Sequence, residues 1–229
     1  MFEPKLLGLF INPFYIARKG LLKSIKPLGK YISGKTLDVG CGTKPYEKYF
    51  SSSEYIGIDV KTTMHHSKNS IDVYYDGKAF PFKNEQFDSV LSNQVFEHVF
   101  NPDLFLSEIN RVLKSDGYLL ITVPFVWDEH EQPFDYARYS SFGLKYILNK
   151  NGFDIVTHIK TENNIKTIFQ LINGYIYKKV YNKKYFIKPI STLLIMAPIT
   201  IMGIIINIIL PDNDDLYLDN VVLAKKQIK

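Results

Sequence analysis

The residues best suited to chemistry lie in a short glycine-rich stretch and in acids on either side of it. Asp38 ends an apolar run, Gly40 and Gly42 follow it, and Asp59 ends a second apolar run 19 residues after Gly40. Glycines let the backbone turn sharply and approach a ligand, and a carboxylate after the second strand can accept hydrogen bonds from ribose hydroxyl groups. This spacing indicates a nucleoside site at the carboxyl edge of a parallel sheet.

A pyrophosphate-binding loop is disfavoured at the same stretch. The full dinucleotide pattern has a third glycine, and Lys44 stands in its place. The loop therefore favours a nucleoside without phosphates over the cofactor of an NAD-dependent dehydrogenase. Cys41, the one cysteine, excludes an internal disulfide framework and is interpreted as a small residue packed under the loop.

A second group of titratable side chains follows a later apolar run. It comprises His130, Glu131, Asp135 and Arg138. Histidine titrates near neutral pH and can act as a general base toward a hydroxyl group, with Glu131 or Asp135 orienting it. Arg138 could pair with Asp135 or bind an anionic acceptor. A lid stabilised by an Asp–Arg pair, with a solvated histidine, is the competing interpretation.

The remaining histidines give a weaker signal. His98 follows Glu97 at the predicted end of a strand and is interpreted as structural. His65 and His66 lie in a polar loop without partners at metal-ligand spacing. The sequence therefore predicts no metal site.

The elements that must position these residues alternate between strands and helices. Asn101 and Pro102 form a helix start before an apolar face that ends at Leu113. Such alternation predicts an α/β fold with a mainly parallel sheet. The predicted strands lie near 36–39, 55–59, 71–75, 87–92, 117–123 and 153–160, with a further strand-like run at 221–224.

The net charge of +5 hides a partition of the 229 residues. Residues 1–35 hold seven Lys/Arg against one acid, residues 36–158 hold eleven against seventeen, and residues 159–229 hold ten against five. The basic ends are also the most apolar parts, which favours an anionic membrane surface as partner. Nucleic acid is disfavoured because no nucleic-acid-binding motif is present. No secretory leader is expected at Met1 to Pro4.

The N-terminal segment predicts a basic amphipathic helix. Asn12 can cap it and Pro13 can begin it, and apolar residues recur at helical spacing up to Ile25 before Pro27 and Gly29 end it. Two interpretations stay open: the helix packs on the domain's own sheet, or it lies in the lipid interface.

The segment from Ile190 to Leu210 is almost purely apolar and long enough to cross a bilayer. A single crossing would separate the strand-like run after it from the rest of the sheet. Pro198 offers a way out, because proline breaks or kinks a helix. We therefore expect two short helices that meet near Pro198 and Gly203 and dip into one leaflet, or that pack as an apolar platform. A wholly internal or dimer-burying helix is the competing interpretation. The neighbouring lysines, expected at the anionic surface, are Lys178, Lys179, Lys183, Lys184 and Lys188.

Taken in order, several blocks of the chain resemble class I S-adenosylmethionine-dependent methyltransferases. The resemblance covers about 35–160 and extends to 217–227 as a last strand. Within that family, the chain resembles the small-molecule branch associated with surface-glycan and lipid-linked saccharide synthesis. The blocks are Leu37 to Tyr46, Tyr55 to Asp59, Asp76 to Phe82, Phe87 to Val90, Gln94 to His98, Glu108 to Lys114 and Gly117 to Pro124.

The resemblance implies a Rossmann-like, mainly parallel seven-stranded sheet with helices on both faces, plus an apolar helical insertion before the last strand. It divides the chain into a basic N-terminal helical segment (1–35), a cofactor-binding core (36–160), an apolar and basic membrane-associated insertion (161–215) and a last strand with a basic tail (216–229). The implied cofactor is S-adenosyl-L-methionine.

The same resemblance implies roles for individual residues. Asp38 would orient the glycine loop and meet the methionine amino group, and Asp59 would bind the ribose hydroxyls. Asp76 would face the adenine amino group. The remaining implied cofactor contacts are Gly40 and Gly42 beneath the cofactor, Gly77 beside the adenine ring and Gln94 along the methionine end.

The function implied is O-methylation of a saccharide, glycolipid or other membrane-proximal small molecule, at the cytoplasmic face of a membrane as a peripheral or monotopic protein. Methylation of a lipid or quinone is the first alternative. A non-catalytic membrane-associated cofactor-binding scaffold is the second. The sequence leaves the acceptor, the methylated atom and the oligomeric state open.

Overall fold

The computed structural model describes residues 2–61, 70–183 and 186–228. Two compact units form: one comprises the chain up to Ser24, 125–129 and 160–219, and the other comprises 25–124, 130–159 and the chain from Asn220 onward. The helices are α1 (Gly8–Ile11), α2 (Tyr15–Leu28), α3 (Pro102–Val112), α4 (Ser141–Lys150), α5 (Lys166–Tyr181), α6 (Ile187–Ser191) and α7 (Ala197–Ile206). The strands are β1 (Ser33–Val39), β2 (Ser51–Val60), β3 (Val73–Tyr75), β4 (Phe87–Asn93), β5 (Leu113–Pro124), β6 (Phe153–Lys160) and β7 (Asp219–Lys226).

The strands form one seven-stranded sheet in the order β3-β2-β1-β4-β5-β7-β6. The strand β1 lies in parallel between β2 and β4, with Val39 opposite Ile58 and Ser92. The predicted seven-stranded Rossmann-like sheet is confirmed. Because parallel strands end at one edge, Asp38 near the end of β1 and Asp59 near the end of β2 lie at the same edge of the sheet.

The helix α3 begins and packs as the sequence predicts. The Asn101 side chain accepts a hydrogen bond from the Leu104 amide, and Pro102 occupies the first turn, where no amide donor is needed. Its apolar face is buried in the core of the second unit through Phe105, Leu106, Ile109 and Val112.

The helix α2 buries its apolar side in protein. Tyr15 and Ile16 pack against Leu218, and the Gln170 side chain accepts a hydrogen bond from the Ala17 amide. The same Gln170 donates to the carbonyl of Pro13 at 3.0 Å. This packing favours the protein-packed interpretation of the N-terminal helix over the lipid interface.

The apolar insertion before the last strand is confirmed, but the expected pair of helices meeting near Pro198 and Gly203 is wrong. One helical run extends over Ile187–Ile206, long and apolar enough by length and composition to cross a membrane. Residues Thr192–Met196 form a π-helical turn in which the Ala197 amide donates to the carbonyl of Thr192. Pro198 therefore lies in the first turn after an existing irregularity, where the missing amide costs little.

The insertion starts and ends at one place in the chain's fold. The Thr161 amide donates to the Asp219 carbonyl at 2.9 Å, and the Leu218 amide donates to the Thr161 carbonyl at 3.0 Å. The Thr161 hydroxyl also donates to the Asp219 carboxylate. This hydrogen-bonded base brings together the two ends of the segment that contains α5, α6 and α7.

Two predicted features lie outside the described residues. These are the polar loop with His65 and His66, and Lys184 of the expected basic surface.

Candidate active site

The glycine loop follows β1 in a conformation that its residue types make possible. Gly40 has φ of 71°, and a Cβ there would lie 2.3 Å from a methyl group of Val95. Gly42 has φ of 49° and open space where a side chain would be. Lys44 also adopts a left-handed conformation, with φ of 52°, so the third glycine position keeps a glycine-like backbone. The loop therefore presents backbone to the cavity beside it.

Asp59 closes the loop at the end of β2. Its Oδ2 accepts a hydrogen bond from the Gly42 amide at 3.1 Å, and its Oδ1 accepts one from the Val60 amide at 2.8 Å. The residue is 5% exposed and lines the adjoining cavity. A carboxylate held in this way is positioned before any ligand arrives.

Asp38 takes a different position from Asp59. It is buried beneath the loop, does not line the cavity and accepts a hydrogen bond from the Tyr55 hydroxyl at 2.7 Å. Burial raises the pKa of Asp38 to about 7, against lowering contributions from the Tyr55 hydrogen bond and the charge of Lys44. The predicted contact with a cofactor amino group stays a prediction, and the observed contact is structural.

The cavity has a volume of about 600 Å³, within the range of pockets for small molecules. Among the implied cofactor residues, all but Asp38 line it: Gly40, Gly42, Asp59, Asp76, Gly77 and Gln94.

Two of these residues are set by local backbone. The Asp76 carboxylate accepts hydrogen bonds from the amides of Lys78 and Ala79 in the loop after β3. Gln94 has φ of 55°, a conformation that costs free energy for a side chain of this size. Its side-chain amide and backbone amide both donate to the Thr122 hydroxyl, which holds it there.

Aromatic residues at the cavity were missed by the sequence analysis as site residues. Phe100, Phe134 and Tyr136 line the cavity and are exposed, and Phe100 packs edge-on against Tyr136 with ring centroids 5.2 Å apart. Their only sequence signal was proximity to the cap of α3 and to the histidine segment. Exposed aromatic rings of this kind can pack against the flat face of a sugar or a quinone.

A carboxylate and two histidines meet beside this cavity. The Nε2 atoms of His98 and His130 lie 3.8 and 3.9 Å from Oε1 of Glu97, which is fully buried. The two imidazole centroids are 4.8 Å apart. Of the two, His98 lines the cavity and His130 does not. The sequence analysis had ranked these two histidines in the opposite order.

The tautomer of His98 follows from its backbone partner. Its Nδ1 lies 2.8 Å from the carbonyl oxygen of Phe134. A carbonyl can only accept, so Nδ1 carries a proton, and in the neutral ring the lone pair is therefore on Nε2. Glu131, expected to orient His130, instead places its carboxylate 3.9 Å from Nε2 of His98.

Asp135 and Arg138 form the predicted pair and together fix His130. Arg138 donates two hydrogen bonds to the Asp135 carboxylate at 2.5 and 2.7 Å. Asp135 accepts from the His130 amide and lies 3.3 Å from its Nδ1. Burial alone would raise the pKa of Asp135, but the hydrogen bonds from Arg138 and the His130 amide lower it to about 2. Asp135 is therefore an orienting anion rather than a base.

The group formed by Glu97, His98 and His130 also bears on the prediction that there is no metal site. One atom from each of Glu97, His98 and His130 lies within 4.8 Å of the others, a spacing that could hold a divalent cation. The sequence analysis missed this group because the residues come from two separate loops. The absence of a metal stays a prediction.

Residues 37–121 match the family described as a methyltransferase domain. The match spans the cavity residues from Gly40 to Phe105, but not Glu131, Phe134 and Tyr136, and it supports the predicted methyltransferase domain over that stretch.

Two curated relatives match a part of this chain. An uncharacterized protein of Methanocaldococcus jannaschii is 36% identical over 103 residues, covering 43% of this chain and 49% of the relative. The mitochondrial ubiquinone biosynthesis O-methyltransferase of Bos taurus is 37% identical over 115 residues, covering 41% of this chain and 30% of the relative. The chain thus spans half or less of the length of these relatives.

Solved structures share the fold. The [4+2]-cyclase SpnF has a TM-score of 0.59 at 16% identity, covering 93% of this chain and 82% of that one. Phosphoethanolamine N-methyltransferase 2 of Haemonchus contortus, in complex with S-adenosyl-L-methionine, has a TM-score of 0.59 at 22% identity, covering 96% and 55%. Because a cyclase and a methyltransferase both match, the fold alone does not fix the reaction.

Proposed function

We propose that this chain is an S-adenosylmethionine-dependent O-methyltransferase whose acceptor is a hydroxyl group on a saccharide, a glycolipid or a related small molecule. The observation that carries the proposal is the position of His98. His98 lines the cavity that Asp59 and Gly77 also line, and because its Nδ1 bonds to the Phe134 carbonyl, Nε2 is the ring atom left to accept a proton. A nucleoside site and a proton acceptor thus share one cavity.

The cavity residues fit the cofactor. Gly40 and Gly42 leave room for backbone contact, Asp59 offers a fixed carboxylate for ribose hydroxyls, and Gly77 gives an open edge beside Asp76. When bound, S-adenosylmethionine supplies a methyl group already activated by its sulfonium. The protein must therefore align the acceptor and remove its proton.

Proton removal is assigned to His98. As the acceptor hydroxyl attacks, Nε2 of His98 takes its proton, and the Nδ1 hydrogen bond to the Phe134 carbonyl keeps the ring in place. Glu97 and Glu131, near Nε2, stabilise the imidazolium that results. His130, held by Asp135, packs against the His98 ring and positions it.

A quinone or other ring hydroxyl is the second candidate acceptor. The ubiquinone biosynthesis O-methyltransferases among the relatives favour it, as does the aromatic lining formed by Phe100, Phe134 and Tyr136. Both acceptor classes present a hydroxyl and a flat or apolar face. A non-catalytic scaffold is disfavoured because the proton acceptor would then have no role in the cavity.

The test is identification of the methylated product. The protein is incubated with methyl-labelled S-adenosylmethionine and either a lipid-linked saccharide fraction or a quinone precursor fraction, and labelled products are identified by mass spectrometry. Label in a saccharide hydroxyl supports the first proposal, and label in a ring hydroxyl selects the second. Cofactor binding by calorimetry, with no label transferred by wild type to either fraction or to total host extract, overturns O-methylation.

A further inference from the structure

In the apolar helical run, large aliphatic side chains are exposed and small ones are buried in α7. In a water-soluble helix the large apolar side chains are the buried ones. The buried side of α7 holds small residues, namely Ala197, Thr200 and Gly203, and Met196 is fully buried just before it. A Cβ at Gly203 would lie 2.8 Å from Cβ of Phe169, so α7 and α5 approach very closely. The exposed side holds large aliphatic residues, namely Ile190, Leu193, Leu194, Ile195, Met202 and Ile205.

Polar contacts on the buried side complete this arrangement. The side-chain amide of Asn173 donates to the Thr200 hydroxyl at 2.8 Å and to the Met196 carbonyl at 3.1 Å. Small residues and interhelical hydrogen bonds inside, with large aliphatic residues outside, are the packing of helices in lipid. In water each exposed leucine or isoleucine gives up roughly 1.5–3 kcal/mol that burial would provide.

The short helix α1 and the residues just before it extend the same exposed surface, whereas α2 packs in protein. The helix α1 packs against α7 and the π-helical turn, although they are about 190 positions apart in the chain. Its exposed apolar side chains are Leu6, Leu7, Phe10 and Ile11, with Leu6 and Leu7 76% and 74% exposed. We call the exposed aliphatic residues of the helical run and of this N-terminal segment the apolar face.

A basic cavity lies beside the apolar face, within the same unit. It measures about 340 Å³ and is lined by Lys19, Lys23 and Lys166, with Ile204 and Ile208 of the apolar segment as further wall residues. Glu162 is the carboxylate in its lining and pairs with Lys166 at 2.5 Å. Three ammonium groups against one carboxylate leave an excess of positive charge next to aliphatic side chains.

We propose that this unit docks into one leaflet of an anionic bilayer, with the apolar face among the acyl chains and a lipid phosphate held by Lys19, Lys23 and Lys166. Charge and composition favour this partner. An anionic lipid carries a phosphate next to aliphatic chains, and this surface has lysines next to exposed aliphatic side chains. This inference is independent of the reaction proposed above.

The chain path makes the docking monotopic. Thr161 and Asp219 are hydrogen bonded to each other, so the segment between them leaves and returns at one point. The 20-residue run could cross a bilayer by its length, but one crossing would carry its far end away from that point. The helical run therefore lies within a single leaflet, which we assign to the anionic cytoplasmic side.

The first experiment measures insertion of the apolar face. The chain has one native cysteine, Cys41, which is buried and whose thiol pKa burial raises to about 12, so an environment-sensitive fluorophore attaches selectively to Leu194→Cys. Phe142→Cys, exposed on α4 of the other unit, is the matched control. With vesicles of phosphatidylcholine and phosphatidylglycerol, the label at position 194 shifts to the blue and the label at 142 does not.

The second experiment separates the two contributions. Leu7→Ser and Leu194→Ser each weaken vesicle binding about tenfold or more, and Lys19→Ala and Lys23→Ala each lower the preference for anionic vesicles about fivefold. Phe142→Ser, with its unfolding curve measured beside the others, leaves binding unchanged. Two results overturn the docking proposal. In the first, wild-type protein stays in the supernatant when vesicles are sedimented. In the second, the label at position 194 is already shifted to the blue before vesicles are added and the protein has the mass of a dimer. Unchanged anionic preference in both lysine variants overturns the phosphate site.

Discussion

Asp59 holds the glycine loop and faces the cavity, so its substitution tests cofactor binding directly. Asp59→Ala removes hydrogen bonds to charged oxygen, each worth roughly 1.5–3 kcal/mol. We expect the affinity for S-adenosylmethionine to fall about tenfold or more by calorimetry. Asp88→Ala is the control. It removes a carboxylate that pairs with Lys114 near the start of β4 and does not line the cavity. Equal affinity for Asp59→Ala and wild type would remove Asp59 from the cofactor site.

His98 and His130 can be distinguished kinetically. If His98 is the base, His98→Ala lowers kcat by about 10²–10⁴ with little change in cofactor affinity, and the loss is largest where the wild-type histidine is neutral. His130→Ala removes a ring that positions His98, so it lowers kcat by less. The fall of kcat at low pH is kept in this variant, because His98 is still the base. The reverse order would restore His130, the residue favoured by the sequence alone, as the base.

The three donors Glu97, His98 and His130 permit a test of metal dependence. With His98 acting as a base, we expect the turnover rate measured in EDTA to stay within about twofold of its value without chelator. Loss of turnover in EDTA, restored by a divalent cation, would instead assign the donors to a metal that lowers the pKa of the acceptor hydroxyl.

Asp38 gives the protein a predictable pH dependence. Its folded-state pKa is raised from 3.8 to about 7, so its contribution to stability is present below pH 3.8 and is lost as the pH rises toward 7. Asp38→Asn keeps an acceptor for the Tyr55 hydroxyl but cannot ionise. The variant should therefore gain stability relative to wild type by on the order of 1.4 kcal/mol per pH unit within that window. Urea unfolding at several pH values measures this, and a constant difference would contradict it.

Among the elements, α5 and α7 offer a matched pair of glycines. A Cβ at Gly203 would meet Phe169, whereas a Cβ at Gly174 would meet nothing within 4 Å. Overpacking costs typically 1–3 kcal/mol, and replacing glycine by alanine in a helix returns roughly 0.5–1 kcal/mol. Gly203→Ala should therefore lower the midpoint of thermal unfolding and Gly174→Ala should raise or preserve it. Equal midpoints would show that the two helices can separate freely.

At the scale of the whole molecule, the basic ends and the apolar face respond differently to salt. Attraction between lysines and anionic lipid is screened, because the Debye length shrinks from about 10 Å at 0.1 M salt to about 3 Å at 1 M. Burial of aliphatic side chains is not screened. Raising the salt concentration should abolish the preference for anionic vesicles and leave binding to neutral vesicles, as sedimentation can measure. Complete release at high salt would contradict insertion of the apolar face.

Most of the sheet and the cofactor loop could be predicted because they depend on local pattern. Gly40 and Asp59 lie at strand ends that periodicity reveals. The histidine cluster could not be predicted in the same way. Glu97 and His130 meet through contacts between distant loops: the Tyr136 and Ala137 amides donate to the Glu97 carbonyl, and His98 Nδ1 donates to the Phe134 carbonyl.

The error at Pro198 has a similar cause. Proline breaks a regular helix, but the preceding π-helical turn at Thr192–Met196 had already shifted the hydrogen bonds. Residue propensity alone gives no indication of that turn.

The close approach of α7 to α5 also determines which mutations the helical run can accumulate. At an exposed position such as Leu194, which the docking proposal places among acyl chains, we expect leucine, isoleucine, valine and methionine to be interchangeable. At Gly203 a Cβ would lie 2.8 Å from Phe169, and Ala197 and Thr200 are buried on the same helix, so we expect larger side chains to be rejected at these three positions. A saturation library selected for a functional chain would therefore be permissive at the bulky positions and strict at the small ones, the opposite of a water-soluble core helix.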